Sequence, residues 1–402
     1  MKLDIKKLGP GFLFAGAAIG VSHLVQSTRA GADFGFGLLW ALLLINLIKY
    51  PFFQFGPRYA SATGESLLVG YRKMSRGVII AYVVLTFATM FTIQTAVTIV
   101  TAGIASSLFG GSSLVFWTAI ITGICMMILL IGRYKILDNL MKIIVLSLTI
   151  STVLAVGLAV NPSETIEFTQ IIPKDAISVA FLIAFMGWMP APLDISIWHS
   201  VWTVEKKKID PNITPDQSRF DFNVGYITTT ILAIGFLSLG ALVMFQSGES
   251  FSSKGGEFAN QLISMYTYSL GEPTKVIIGV AALTTMFSTT LTTLDASPRV
   301  MSKSIEIISK KKFKRGYLFW LLVLVTGTLC IFLFFISEMG LLIKIATILS
   351  FLTAPFYAFF NYRLLNSKHT PKEARPSTFM KWYSILSIFI LIAFSIWYLS
   401  TL

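Results

Sequence analysis

The sequence predicts an all-α integral membrane protein of about eleven transmembrane helices. Three observations carry this reading. Only 13% of the 402 residues are charged, against about 25% in an ordinary soluble domain. The mean hydropathy is +0.75, so most of the surface is unsuited to water. The apolar residues gather in runs that approach the roughly 20 residues a helix needs to cross a bilayer. No soluble domain is evident, and residues 1–402 read as a single transmembrane domain.

Eleven apolar runs can be marked. They lie at about 9–30, 37–57, 78–105, 114–132, 139–160, 177–198, 222–246, 273–296, 316–336, 339–362 and 379–400. Twenty-six of the 32 basic residues fall in one alternate set of connecting segments. Four (Arg29, Lys174, Lys254 and Lys275) fall in the other, and Lys49 and Lys344 lie inside spans. Cytoplasmic loops of membrane proteins are enriched in Lys and Arg. This bias places the N-terminus in the cytoplasm and the C-terminus outside, in the plasma (inner) membrane. Met1 to Lys7 is short and basic and leads straight into the first run without a small-residue cleavage site, so it reads as the lead-in to a retained helix.

The net charge of +13 raises nucleic acid as a partner. The basic residues lie between the apolar runs, however, so the lipid bilayer is the partner they indicate and no nucleic acid is expected. Cys125 and Cys330 each sit inside an apolar run and read as small buried apolar residues, with no disulfide framework or metal cluster.

Two spans are interrupted. The first contains Gly9, Pro10, Gly11, Gly16 and Gly20, then the polar stretch Ser22, His23, Gln26, Ser27 and Thr28. The sixth contains Gly187-Trp188-Met189-Pro190-Ala191-Pro192-Leu193-Asp194. Proline cannot donate a backbone hydrogen bond and clashes with the preceding turn, so Pro190 and Pro192 should break that helix. Unwound backbone at membrane depth is tolerated only in protein or along a cavity. Interrupted helices at equivalent places in two halves point to a transporter binding site. The halves would be residues 9–160 and 177–362, five helices each, with 379–400 as an extra helix.

Several residues at these depths are candidates for the site. Gly20, Ser22, His23, Met189, Pro190 and Asp194 flank the breaks. Transition metals suit imidazole and sulfur, so His23, Met189 and Asp194 are the candidate metal ligands, or Asp194 alone holds a hydrated cation. Lys49 lies mid-span in Asn46-Leu47-Ile48-Lys49-Tyr50-Pro51. An ammonium there is expensive unless it is partnered, so Lys49 is expected to face the interior, paired with Asp194 or set against carbonyls freed by a break. It is a candidate coupling group or a structural cation. Lys344, near a span end, is expected to snorkel.

The opening residues Gly9-Pro10-Gly11-Phe12-Leu13, Ala30-Gly31-Ala32, Phe34-Gly35, Leu38-Leu39-Trp40, Asn46-Leu47 and Ala62-Thr63-Gly64 resemble, without a gap, the start of the Nramp family of proton-coupled divalent-metal transporters. Trp198-His199-Ser200 is similar to the end of that family's sixth-helix motif. The resemblance implies a leucine-transporter type of inverted repeat, with helices one to five mirrored by six to ten. It also locates departures. The family's metal-binding Asp-Pro-Gly-Asn falls on Gly20-Val21-Ser22-His23. Its third-helix acidic pair falls near Gln94 and Val97. Met189-Pro190 matches the sixth-helix motif from the front, and Asp194 replaces its first His when counted back from His199. Its tenth-helix Gln falls on Thr347. By this resemblance Thr347 joins the substrate site, and Gln94 and His199 join Lys49 as coupling residues.

The function this implies is secondary active transport of a small cation, a divalent metal ion, coupled to protons. The same fold with His23, Arg29 and Lys49 near the site also suits an anion or a zwitterion such as an amino acid or a small carboxylate, since half-helix N-termini attract anionic groups. An intramembrane enzyme is a third class. Only His23, His199 and His369 exist, and no His-Glu-x-x-His or nucleophile elbow is present. The absence of a Gly-x-x-x-x-Gly-Lys-Ser/Thr loop excludes a nucleotide-driven pump. No cofactor is expected.

Overall fold

A computed structural model describes residues 9–110, 113–131, 134–160, 167–245, 252, 255–272, 275–335 and 339–401. The basic lead-in Met1–Lys7 lies outside the described residues.

The first span is α1 (Pro10–Ala18), a break, a π-helical turn (Ser22–Ser27) and α2 (Thr28–Phe34). The second is α3 (Leu39–Thr63), followed by the short α4 (Leu67–Met74). Then come α5 (Arg76–Phe109), α6 (Leu114–Ile131) and α7 (Tyr134–Ala159). The sixth span is α8 (Ala176–Trp188) and α9 (Ile195–Ile209), and the seventh is α10 (Pro215–Leu239) with a π-helical end (Gly240–Met244). The chain closes with α11 (Gly255–Leu270), α12 (Lys275–Ser309), α13 (Gly316–Phe335), α14 (Met339–Leu365) and α15 (Thr378–Leu399). Among the described residues, eight helices are each long and apolar enough to cross a bilayer. The first and sixth spans cross only as pairs of half-helices.

Among the described residues each of the eleven predicted runs is built of helix, with a break in the first and in the sixth. The sequence reading missed the connecting helices α4 and α11, which are too short or too polar to register as spans. It also cut α12 at 296, whereas the helix continues to Ser309. Hydropathy reports where the membrane ends, not where the helix ends. Lys344 is exposed near its span end, while Cys125 is buried and Cys330 is exposed. The expectation of a buried Cys330 is therefore corrected: α13 places it on the exposed surface of the bundle.

The packing repeats itself with the two halves exchanged. The first span packs on α10 and α7, whereas the sixth packs on α3 and α14. Between the halves α5 crosses α12. These crossings need residues without side chains. A Cβ on Gly11 would run into the Asp221 carbonyl, and one on Gly56 into the Ser196 carbonyl. Small residues allow this backbone-on-backbone approach in membranes.

The opening Gly-Pro-Gly is fixed by one carboxylate. Asp221 of α10 accepts from the Gly9 amide at 3.0 Å and the Gly11 amide at 2.7 Å, while Pro10 between them has no amide to satisfy. These are first-turn N–H groups that α1 itself cannot pair. Asp221→Ala is expected to lower stability by about 2–3 kcal/mol, the loss of a charge-assisted pair. A detergent-phase thermal midpoint equal to that of the wild type would rule this clamp out.

Candidate functional site

The break in the first span is two residues wide. The helix ends at Ala18, and Ile19 is extended, with φ −79° and ψ 93°. Helix resumes at once, since the Gly20 carbonyl accepts from the His23 amide at 3.1 Å and the Leu24 amide at 2.9 Å. A Cβ on Gly20 would lie 2.7 Å from Thr289 Oγ1 of α12. Glycine is required there because the first span lies directly on α12. The unwound stretch is thus confined to Ile19 and Gly20, and Ser22 and His23, which flank it, belong to the resumed helix.

The break in the sixth span is longer. Helix α8 stops at Trp188, Met189 is extended, and the Met189–Pro190 peptide bond is cis. Helix α9 restarts after Asp194, whose carbonyl accepts from the Ile197 amide at 2.9 Å. Pro190 and Pro192 supply no amides, so the carbonyls around them have no local donors. Lys49 of α3 supplies them. Its ammonium donates to the carbonyls of Met186 (2.9 Å), Gly187 (2.7 Å) and Ala191 (3.2 Å). Three protons meet three acceptors, and Lys49 is wholly buried.

Asp194 is buried, and its Oδ1 has no hydrogen-bond partner. Lys49, Tyr82 of α5 and Tyr357 of α14 lie within electrostatic reach of it. The hydroxyls of Tyr82, Thr86 and Tyr357 are likewise buried without a partner of standard geometry. One carboxylate and three hydroxyls from three spans therefore converge beside the sixth break.

Both breaks open onto one cavity of about 20 Å³, room for about one water-sized probe. Its walls are Ala17, Ala18, Val21 and Ser22 from the first span and Trp188, Pro192, Ile195 and Trp198 from the sixth. Ile93 and Val97 of α5 and Thr289 and Thr293 of α12 complete it. A larger cavity of about 470 Å³ lies at the far end of the first span, among Phe34–Gly37, Thr169 and Phe245, away from the breaks.

Residues 11–401 match the family described as natural resistance-associated macrophage protein-like, Nramp. The chain belongs to the Nramp family. An uncharacterized protein of Pasteurella multocida (strain Pm70) is 36% identical over 405 residues, spanning 98% of this chain and 92% of its own. The Eremococcus coleocola manganese transporter superposes with a TM-score of 0.74 at 14% identity, over 96% of this chain and 84% of that one. MhsT in complex with L-phenylalanine superposes with a TM-score of 0.66 at 16% identity, over 98% of both chains. This Nramp chain is therefore a secondary transporter of the leucine-transporter type of fold, and not an enzyme.

His23 Nε2 pairs with the Thr229 carbonyl at 2.9 Å and Nδ1 with Ser22 Oγ at 2.7 Å. The Nε2 contact straps the first span to α10, and the Nδ1 contact lies within the first span. Met189 is buried in the apolar core and does not line the cavity. Among the described residues no group of three His, Cys, Asp or Glu is arranged to hold a metal ion. Gln94 ties α5 to α12, donating to Thr98 Oγ1 (3.1 Å) and the Thr290 carbonyl (3.3 Å) and accepting from Thr293 (2.7 Å). His199 is stacked on Phe14, 5.7 Å between centroids, with both nitrogens unpartnered. The Thr347 hydroxyl donates to its own helix, at the Ile343 carbonyl (2.7 Å), and its carbonyl abuts Gly187. Of the expected residues, Gly20, Ser22, Asp194, Pro190 and Lys49 gather at the breaks, whereas His23, Gln94, His199 and Thr347 serve contacts around them. Sequence reasoning missed Tyr82, Thr86, Tyr357 and Thr289. The one signal for Thr289 is the hydroxyl-rich run from Thr284 to Thr293.

Proposed function

We propose that this Nramp chain transports a small organic solute bearing a carboxylate, such as an amino acid or a small organic acid, through the cavity between the two breaks. The carrying observation is the cavity wall. Its twelve residues are aliphatic, aromatic or hydroxylic and include no carboxylate, imidazole or thioether. Transition metals are bound by such groups, and Mg²⁺ by one or two carboxylates. An apolar wall with Trp188 and Trp198 suits a hydrocarbon or ring. The Val21 and Ser22 amides stand at a helix start, where anionic groups are favoured. The fold is shared with MhsT, whose complex holds L-phenylalanine. Basic segments face the cytoplasm in this reading, with the N-terminus inside and the C-terminus outside.

The family's divalent metal, moved with protons, is the second reading. The cavity volume of about 20 Å³ favours a bare ion, and Asp194 supplies one unpartnered carboxylate oxygen. Volume changes when half-helices rock apart during alternating access. Ligand chemistry does not change, so it outweighs volume here. A thermal-stability screen on purified protein separates the readings, because a ligand that binds only the native state raises its midpoint. Stabilisation by amino acids or small carboxylates, with none from Mn²⁺ or Mg²⁺, is expected. Stabilisation by Mn²⁺ at low micromolar concentration, together with liposome uptake of Mn²⁺, would replace the organic cargo with the metal.

A further inference from the structure

We propose that an anionic phospholipid binds over the end of α3, between the starts of α10 and α15, with its phosphate on Arg58 and Arg219. Such a site depends on the chain spanning a membrane and not on the chemistry of its cargo.

Arg58 lies near the end of α3 and is half-buried. The segment that leads into α15 holds its guanidinium in place. Nε donates to the Ala374 carbonyl and Nη2 to the Arg375 carbonyl, each at 2.8 Å, and Nη1 reaches Gln54 Oε1 at 3.4 Å. These bonds fix the group, but none brings a negative charge to it. A charge withdrawn from water without an opposite partner is costly. The charged group within electrostatic reach of Arg58 is another cation, Arg219 of α10. Among the described residues no carboxylate pairs with Arg58, and Glu373, in the segment that Arg58 holds, is exposed. Arg219 has Asp216, 3.1 Å away on its own helix and three-quarters exposed, and an exposed pair of this kind contributes little. Helix α10 starts at Pro215 and α15 at Thr378, so the positive poles of two helix starts add to the same side of the bundle. An anion between the two guanidinium groups would turn their repulsion into attraction.

The surroundings select a lipid as the source of that anion. Leu47, Tyr50, Gln54 and Arg58 share one face of α3 through their spacing. This face changes character along its length. Leu47 is 60% exposed, whereas Gln54 donates to the Tyr50 hydroxyl at 2.9 Å and accepts from Arg58. Helices α10 and α15 both pack on α3 and flank this face. The Tyr50 hydroxyl donates to Asn223 of α10 at 2.9 Å, and the Tyr383 hydroxyl of α15 donates to the Leu47 carbonyl at 2.5 Å. An exposed apolar stretch that ends in two arginines has the polarity of a phospholipid, acyl chain first and phosphate after it. Tyr50, Tyr383 and the exposed Trp382 mark the headgroup level, where tyrosine and tryptophan gather in membrane proteins. The guanidinium fork matches phosphate oxygens in pairs, and basic pockets between transmembrane helices hold anionic head groups. A free phosphate ester would satisfy the arginines but leave the apolar stretch unused. Once bound, the lipid bridges α10 to α3 and to the lead-in of α15. A ligand held only by the folded arrangement stabilises it.

The test is the thermal midpoint of purified, delipidated full-length protein in a neutral detergent, titrated with phosphatidylglycerol, with phosphatidylcholine of the same acyl chains, and with glycerol phosphate. A saturable rise with phosphatidylglycerol is expected, and none with the other two. Arg219→Gln removes a half-exposed charge, so the variant should fold. It should raise the half-saturating phosphatidylglycerol concentration by at least about tenfold, the equivalent of ~1.4 kcal/mol. A Lys310→Gln/Lys312→Gln variant, altered in the basic loop between α12 and α13, should keep the wild-type response. Arg58→Gln should lose the response as Arg219→Gln does, and supplies the second reading if the latter expresses poorly. No response to phosphatidylglycerol, or an equal one to phosphatidylcholine, overturns the site. An equal response to glycerol phosphate replaces the lipid with a free phosphate ester. Unchanged affinity in Arg219→Gln, or the same loss in the Lys310→Gln/Lys312→Gln variant, reduces the effect to general attraction between a basic surface and anionic lipid and also overturns it.

Discussion

Replacing Lys49 with Met is expected to destabilise the folded protein by about 3–5 kcal/mol, the cost of removing one member of a buried charged network. The reasoning turns on which partner remains. Exchanging a whole buried ion pair for apolar residues is often neutral or stabilising, because both charges leave together. Here the partners are the main-chain carbonyls of Met186, Gly187 and Ala191, and no substitution removes them. Each buried acceptor left without a donor costs about 1–3 kcal/mol. The local chain cannot replace the donor, since Pro190 and Pro192 have no N–H. Lys49→Gln, with two amide protons, can meet at most two of the three carbonyls and should fall between wild type and Met. Lys49→Arg should not rescue, because a planar guanidinium has a different geometry from a compact ammonium. The measurement is the midpoint of thermal unfolding in detergent for the three variants. A Met variant as stable as wild type would show that the sixth break holds its shape without the ammonium.

The spans were legible because hydropathy acts on long stretches of chain, and the sixth break was legible because Pro190 and Pro192 act on the backbone directly. Lys49 stood out because a charge at that depth demands partners. The rest depends on contacts that are remote in sequence. The pairing of His23 Nε2 with the Thr229 carbonyl of α10 joins residues 206 apart and leaves no local signal. Tyr82 and Tyr357 look like ordinary core aromatics, and only folding brings their hydroxyls beside Asp194. Thr289 is hidden for a different reason. Hydroxyls in membrane helices usually bond to the carbonyl one turn back, as Thr290 does at the Met286 carbonyl (2.9 Å) and Thr292 at the Ser288 carbonyl (2.7 Å). Thr289 does the same at Thr285, and nothing in the run distinguishes it until the first break places Gly16 and Ile19 opposite. The narrowness of that break was also illegible: Gly20 permits close approach to α12, and its carbonyl restarts the helix at once.

Asp194→Asn is expected to reduce the initial rate of transport in proteoliposomes by at least about tenfold, or ~1.4 kcal/mol, while moving the thermal midpoint far less than Lys49→Met does. Asn nearly preserves the volume of Asp and serves equally well at a helix start, so the entry into α9 should survive. What is lost is the negative charge. Asp194 is the acid within electrostatic reach of Lys49, and the hydroxyls of Tyr82 and Tyr357 gather around it. An acidic group inside a membrane bundle is costly and is kept where it acts on ions or conformational change. Its Oδ1 is left without a hydrogen-bond partner and its side chain makes no capping bond to α9, so a structural role does not account for the charge. The hydroxyls can be removed separately. Tyr82→Phe and Tyr357→Phe keep the rings and their packing, 6.2 Å between centroids, and should each slow transport less than Asp194→Asn. The double Phe variant should approach the Asn variant if the three groups act as one unit, because effects within a coupled cluster are not additive. Normal transport by Asp194→Asn would leave Asp194 as a structural residue at the start of α9 and remove the cluster from the mechanism. A slow Asp194→Asn with a fully active double Phe variant would assign the role to the carboxylate alone.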